Sequence, residues 1–178
     1  MRRIVLTLFV LSLCAAADAQ LALAKRVGKG SENAKTGFGA FAYYDIPLQQ
    51  SENKSLRIEI LDLAFFPTKN RDVSGASGYV SIKLGYKYIF SETKTGFYVE
   101  PQAGYCRVAV IDPLTDEAGY GDGVAAAMEG GYSLEVGERG NTINLGLKYE
   151  TDRAGKAYTL SSVGLRLSFS FGLFRRRE

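Results

Sequence analysis

The stretch GYVSIKLGYKYIF-SETKT-GFYVEPQAGY, residues 78–105, decides how the rest of this 178-residue chain is read. In its first arm Val80, Ile82, Leu84, Tyr86, Tyr88 and Phe90 fall on one face of an extended strand, and Ser81, Lys83, Gly85 and Lys87 fall on the other. That is a period of two, with one apolar wall and one polar wall. After the SETKT turn the second arm repeats the pattern: Phe97, Val99, Pro101, Ala103 and Tyr105 alternate with Glu100, Gln102 and Gly104. Each arm is about the length, roughly 9 to 11 residues, that a tilted strand needs to cross a bilayer. The spacing predicts two neighbouring strands of a membrane β-barrel.

The same alternation recurs on both sides. GFGAFAYYDIPL, 37–48, reads as a strand, and Leu56, Ile58 and Ile60 then alternate with Arg57 and Glu59. The apolar phase next slips onto Leu61, Leu63 and Phe65, which predicts a bulge near Ile60 to Asp62. Downstream, Val124, Ala126, Met128, Tyr132, Leu134 and Val136 oppose Glu129, Ser133 and Glu135. Ile143, Leu145, Leu147 and Tyr149 oppose Asn144, Gly146, Lys148 and Glu150. In the last strand Val163, Leu165, Leu167, Phe169 and Phe171 oppose Ser162, Gly164, Arg166, Ser168 and Ser170, before Phe174 and RRRE.

The connections alternate too, compact at 49–53, 91–95 and 137–140 and longer or more polar at 67–77 and 112–122, with DRAGK, 152–156, as another loop. Short turns on one side and longer loops on the other are the layout of an outer-membrane barrel. With the compact turns on the periplasmic side, 37–48 runs downward, so an exported chain needs an upward strand before it. The faintly marked QLALAKRVG, 20–28, is counted as that strand, which makes the number even. The expected fold is all-β: an eight-stranded antiparallel up-and-down transmembrane β-barrel. A soluble sandwich or lipocalin-like barrel also alternates, but with its apolar face inward. Against it, tyrosine and phenylalanine gather near predicted strand ends, at Tyr88, Phe90 and Phe97 on one side and Tyr105 and Tyr149 on the other, as interfacial girdles require.

The chain opens with the marks of a secretory signal: Arg2 and Arg3, an apolar core over 4–13, and the small-residue motif Ala17-Asp18-Ala19. Residues 1–19 are expected to be the signal peptide and 20–178 the barrel domain, with the mature chain starting at Gln20. A lipoprotein reading centred on Cys14 is weaker, because Leu13 stands where a small residue belongs. No segment approaches the ~20 apolar residues of a spanning helix. Lys plus Arg number 22 and Asp plus Glu 19, a balance that gives no reason to expect nucleic acid. Removal of the signal leaves Cys106 as the lone thiol, so no intramolecular disulfide is expected and Cys106 reads as a small packing residue. Stability is left to the circular ladder of a closed barrel, which has no unpaired edge.

GFYVEPQAGY, the repeated strands of about ten residues and the aromatic-rich end SFSFGLF resemble the small eight-stranded outer-membrane barrels of the OmpA transmembrane-domain and OmpX type. The likeness covers the whole mature chain and is one of pattern. It implies a Gram-negative outer membrane, contact with outer-membrane lipid and lipopolysaccharide, and insertion by the barrel-assembly machinery, which commonly reads a last strand ending in an aromatic. RRRE after Phe174 departs from that ending. Longer OmpA-like proteins add a peptidoglycan-binding domain, for which this chain has no residues left.

With apolar residues facing lipid, the inward set is Arg57, Lys83, Lys87, Lys148 and Arg166 with Glu59, Glu100, Glu129, Glu135 and Glu150. An eight-stranded barrel has just enough interior for its own side chains, so these are expected to pair and plug it. The sharper alternative is a narrow pore for ions or small solutes, gated by re-pairing, for example of Arg166 between Glu100 and Glu129. Enzymatic activity finds no support: there is no histidine, and serines such as Ser168 and Ser170 belong to no nucleophile constellation. No cofactor is expected. Asp112, Asp116, Glu117 and Asp122 do not have the spacing of an EF-hand. Tyr120, between Gly119 and Gly121, is the candidate for surface contact with an extracellular partner. A monomer is expected.

Overall fold

Eight strands close into one antiparallel barrel in the order β1 to β8, each hydrogen-bonded to its sequence neighbours and β1 to β8. They are β1 (Asp18–Val27), β2 (Gly37–Pro47), β3 (Lys54–Pro67), β4 (Ala76–Ile89), β5 (Gly96–Ile111), β6 (Ala118–Val136), β7 (Asn141–Ala154) and β8 (Tyr158–Ser170). A 3-10 turn, Ser31–Asn33, follows β1. The computed structural model describes residues 18–28, 31–48, 53–69, 76–111, 118–137, 141–155 and 158–170. Residues 1–17 of the signal sequence, the acidic positions Asp112, Asp116 and Glu117, and the end from Phe171 through Phe174 to RRRE lie outside them.

The pattern that opened the sequence becomes the wall of the barrel. Along β4 burial alternates residue by residue, with Ser77, Tyr79, Ser81, Lys83 and Lys87 turned inward. Val80, Ile82 and Leu84 are turned outward and 40%, 55% and 52% exposed. The same holds for β1, where Leu21 and Leu23 are bare outside and Gln20 is buried inside. The molecule is therefore built inside out relative to a soluble barrel, whose apolar face would be the buried one. The strand counted partly on parity is real, though it starts at Asp18, ahead of Gln20.

The slip in apolar phase is a bulge. Against β4, Glu59 pairs with Lys83 and Asp62 with Ser81, so Ile60 and Leu61 together face the one residue Ile82. The extra residue lets β3 turn Arg57 and Glu59 inward below the bulge and Asp62 inward above it. On the outside, Phe97 and Tyr132 meet edge to face at 5.1 Å, as do Tyr88 and Phe90, near the compact turns. Phe38 and Phe65 pair at 5.7 Å toward the other end.

Two segments read as loops are strand. β6 begins at Ala118 and β7 runs on to Ala154, so Tyr120 and Asp122 belong to β6 and Asp152 to β7. Glycine and aspartate disfavour strands locally, but pairing of Tyr120 with Ala109 and of Asp122 with Arg107 overrides that preference. β5 and β6, at 16 and 19 residues, outrun the roughly 9 to 11 needed to span a bilayer and project past it on the side of the longer connections.

Candidate functional site: a charged interior

The inward faces of β3, β4, β7 and β8 carry charge at neighbouring levels, so cross-strand pairing brings these side chains together at the barrel axis. At the centre the ammonium of Lys83 reaches Asp62 and Glu150 at 2.5 Å each and Glu59 at 3.0 Å. Lys148 touches the same carboxylates, Asp62 at 2.5 Å, Glu150 at 2.6 Å and Glu59 at 3.3 Å. Two lysines thus share three acids, and Tyr79 donates a further hydrogen bond to Glu150 at 3.1 Å. Arg166 bridges Glu59 at 2.8 Å and Glu129 at 3.0 Å, with its guanidinium 3.3 Å from the ring centre of Phe41. Tyr98 donates to Glu129 at 2.6 Å.

A second cluster lies toward the compact turns. Arg57 donates to both oxygens of Asp45, at 2.7 and 2.8 Å, and meets Glu100 at 2.9 Å. Its guanidinium stacks 3.6 Å from the centre of the Tyr43 ring. Bidentate pairing to a carboxylate is the strong form of this contact, and the aromatic face adds a cation–π term. Glu100 also accepts from Gln102 at 2.6 Å. Inward Gly85 and Gly146 leave the room: a methyl at Gly85 would meet Glu100, and one at Gly146 would meet Tyr98 and Glu129.

Arg57, Glu59, Lys83, Glu100, Glu129, Lys148, Glu150 and Arg166 are therefore drawn into two clusters. Lys87 is inward but makes no ion pair among the described residues; it donates to Asn144 at 2.6 Å and lies 4.4 Å from the Tyr98 ring centre. Glu135 corrects the expectation. It stands at the rim, half-buried; its backbone N–H donates to the Thr95 hydroxyl at 3.0 Å, and its carboxylate makes no ion pair among the described residues. Water at the mouth solvates a carboxylate there, so no buried partner is needed. Arg166 is paired with Glu59 and Glu129 rather than poised between Glu100 and Glu129.

Sequence reasoning missed Asp45, Asp62 and Asp152. Asp62 was within reach, since it alternates with Leu61 and Leu63 just past the slip. Asp45 follows the inward aromatics Phe41 and Tyr43 by the same parity. Asp152 hid in a segment read as a loop.

Toward the longer connections apolar side chains join the interior, around the buried Asp152 across from Leu160 and below Arg26, which donates to Ser77 at 3.3 Å. Ala64, Phe66, Val108, Ala154 and Leu160 pack there with Tyr79 and the fully buried Cys106. This cap holds the thiol in a packing role and separates the charge clusters from that end of the barrel. Tyr120 is 70% exposed, on the outer face of a projecting strand and not on a loop. Among the described residues no group of histidine, cysteine or acidic side chains is arranged to hold a metal ion.

No protein-family model matches the sequence, and no curated protein matches it. Solved structures do match. Neisserial surface protein A superposes with a TM-score of 0.62 at 15% identity, over 86% of this chain and 93% of its own. Ail, the attachment invasion locus protein of Yersinia pestis, gives 0.53 at 13% identity, over 86% and 95%. At those identities it is the fold that is shared: this chain has the fold of the small eight-stranded outer-membrane β-barrels.

Proposed function

We propose that the chain is an integral outer-membrane barrel, exported by residues 1–19, with a structural or surface-contact role and an interior blocked by its own charges. The observation that carries this reading is the inversion of the wall. Leu21, Leu23, Phe97, Val124, Leu147 and Leu165 stand bare on the outside, while Arg57, Lys83, Glu100 and Arg166 are buried inside. In water that arrangement would expose a continuous apolar belt, which soluble monomers do not tolerate. In a bilayer the belt faces lipid, and every strand edge is satisfied because the sheet closes.

The interior favours a plug over a channel. Lys83, Lys148, Arg166, Glu59, Asp62 and Glu150 each touch two or more opposite partners, so moving one aside to admit an ion leaves others buried and under-paired, at a cost of about 3–5 kcal/mol. The packed layer of Phe66, Val108 and Leu160 adds a second constriction in series. The chain has no histidine, and two of its buried serines serve the network: Ser168 bonds to Tyr43 and Asn144, and Ser81 accepts from Lys83. A non-enzymatic barrel fits those roles. The closed sheet leaves no strand edge to recruit a second copy, in keeping with a monomer inserted by the barrel-assembly machinery among outer-membrane lipid and lipopolysaccharide. Neisserial surface protein A and the attachment invasion locus protein carry surface and attachment in their names, which suits contact with an extracellular partner at the projecting β5–β6 end near Tyr120.

Membrane fractionation with gel mobility before and after boiling tests the reading: the chain should follow the outer membrane and migrate faster unboiled. A periplasmic protein of unchanged mobility overturns it. Purified protein in planar bilayers should give no conductance steps; regular unitary steps overturn the plug.

A further inference from the structure

The strand that closes the ring starts short. Once residues 1–19 are removed the chain begins at Gln20, which lies across from Phe41 of β2, and β2 continues past it from Ala42 to Pro47. At about 3.3 Å per residue that is on the order of 20 Å of strand. On the other side β8 continues from Ser168 to Ser170, beyond Leu167, the partner of Leu21. The new amino terminus is thus recessed into the barrel wall, one residue below Leu21, which is 74% exposed on the outer, lipid-facing side. Inside, the Tyr43 hydroxyl joins Ser168 at 3.1 Å and Ser170 at 2.7 Å, so β2 and β8 clasp beneath the first residue.

That position suits an ammonium badly. Inward side chains of paired residues are neighbours, so Gln20 sits beside the Phe41 ring and diagonally from Tyr43. Each ring already carries a guanidinium, Arg166 at 3.3 Å from the centre of Phe41 and Arg57 at 3.6 Å from that of Tyr43. The acids that balance them are engaged, Glu59 and Glu129 by Arg166 and Asp45 and Glu100 by Arg57. A free α-amine is largely protonated at neutral pH, so it would stand as a third cation beside an apolar belt, with these acids already shared. The Gln20 amide, by contrast, is loosely held. Its nitrogen reaches the Phe169 carbonyl at 3.5 Å, and its oxygen accepts no hydrogen bond among the described residues.

We infer that Gln20 is a modification site, where the α-amine attacks the residue's own side-chain carbonyl carbon and closes a pyroglutamyl lactam. The new bond joins the α-nitrogen to Cδ, the Cδ–Nε2 bond breaks, and the amide nitrogen leaves as ammonia with the proton that the amine gives up. No other reactant enters. The product is neutral, and its ring nitrogen keeps one N–H, as the peptide nitrogen it replaces did, so the ladder to β2 loses no donor. A blocked end also gives an aminopeptidase no free amine to begin on, which protects the strand that joins β2 to β8. The inference rests on export by residues 1–19, as read above.

The test is the mass of the full chain, exported in a Gram-negative host and taken directly from the outer membrane. Residues 20–178 should be lighter by one ammonia than their amino acids require, and a pyroglutamyl peptidase should release the first residue from the unfolded chain. In denatured protein a label selective for α-amines should leave the terminus unmodified. It should modify Gln20→Asn, whose side chain is one carbon too short for the five-membered ring. That variant should stay heat-modifiable but convert to the slow gel band at a lower temperature than the parent; conversion at the parent's temperature overturns the claim that a neutral end suits this position. A full-mass chain with a free Gln20 overturns the inference alone, and so does a lactam absent from fresh membranes that forms only on storage. A chain that keeps residues 1–19, or starts at another residue, overturns the signal boundary and this inference with it.

Discussion

Single residues inside the barrel act through shared partners. Lys83 and Lys148 hold Glu59, Asp62 and Glu150 between them, so neither lysine belongs to one acid. Lys83→Met leaves those acids under-compensated in a dry interior and should cost about 3–5 kcal/mol in urea unfolding from lipid vesicles. Adding Asp62→Asn should cost less than the sum of the two changes, with a coupling of about 0.5–3 kcal/mol; strict additivity would mean the pair does not interact. Gly146 is the opposite kind of position, where the absent side chain matters. Its methyl would displace Tyr98 from Glu129, so Gly146→Ala should lose about 1–3 kcal/mol in the same assay.

A strand reads two solvents at once, and that is why so much of this fold was legible. Lipid accepts only apolar groups, so the outward half of each strand declares itself, and the slip at Leu61 revealed the bulge because both halves of β3 had to keep their charges inside. What stayed hidden depends on partners distant in sequence. The glycine-rich start of β6 looks like a loop until β5 pairs with it, and Asp152 turns inward only because β7 continues to Ala154. The interior charges could be enumerated by parity, but their pairing could not, since parity is silent about which acid on the far wall a lysine reaches. Leu84 lies midway along the outward run from Val80 to Tyr88, opposite the outward Ala103. Leu84→Arg should therefore cost about 2–4 kcal/mol and deplete the heat-modifiable form, whereas Glu92→Arg in the exposed turn should be close to neutral.

The whole molecule is a ring whose links differ in length. β5 and β6 pair from Gly96 with Ser133 up to Ile111 with Ala118. β1 holds β8 only from Leu21 with Leu167 to Val27 with Ser161, and once residues 1–19 are removed it holds β2 only from Gln20 with Phe41 to Ala24 with Gly37. Opening should start where the fewest bonds must break, so the amides of β1 should exchange with deuterium before those of β5 and β6 in lipid; the reverse order would locate the weak seam elsewhere. The cap gives that opening a clock. Cys106 is wholly buried beneath Val108 and Leu160, and an aqueous maleimide can reach it only while the cap is parted. Its labelling rate in intact membranes thus counts the barrel's excursions per hour, turning an unremarkable packing residue into a native recorder of how often the plugged interior meets water.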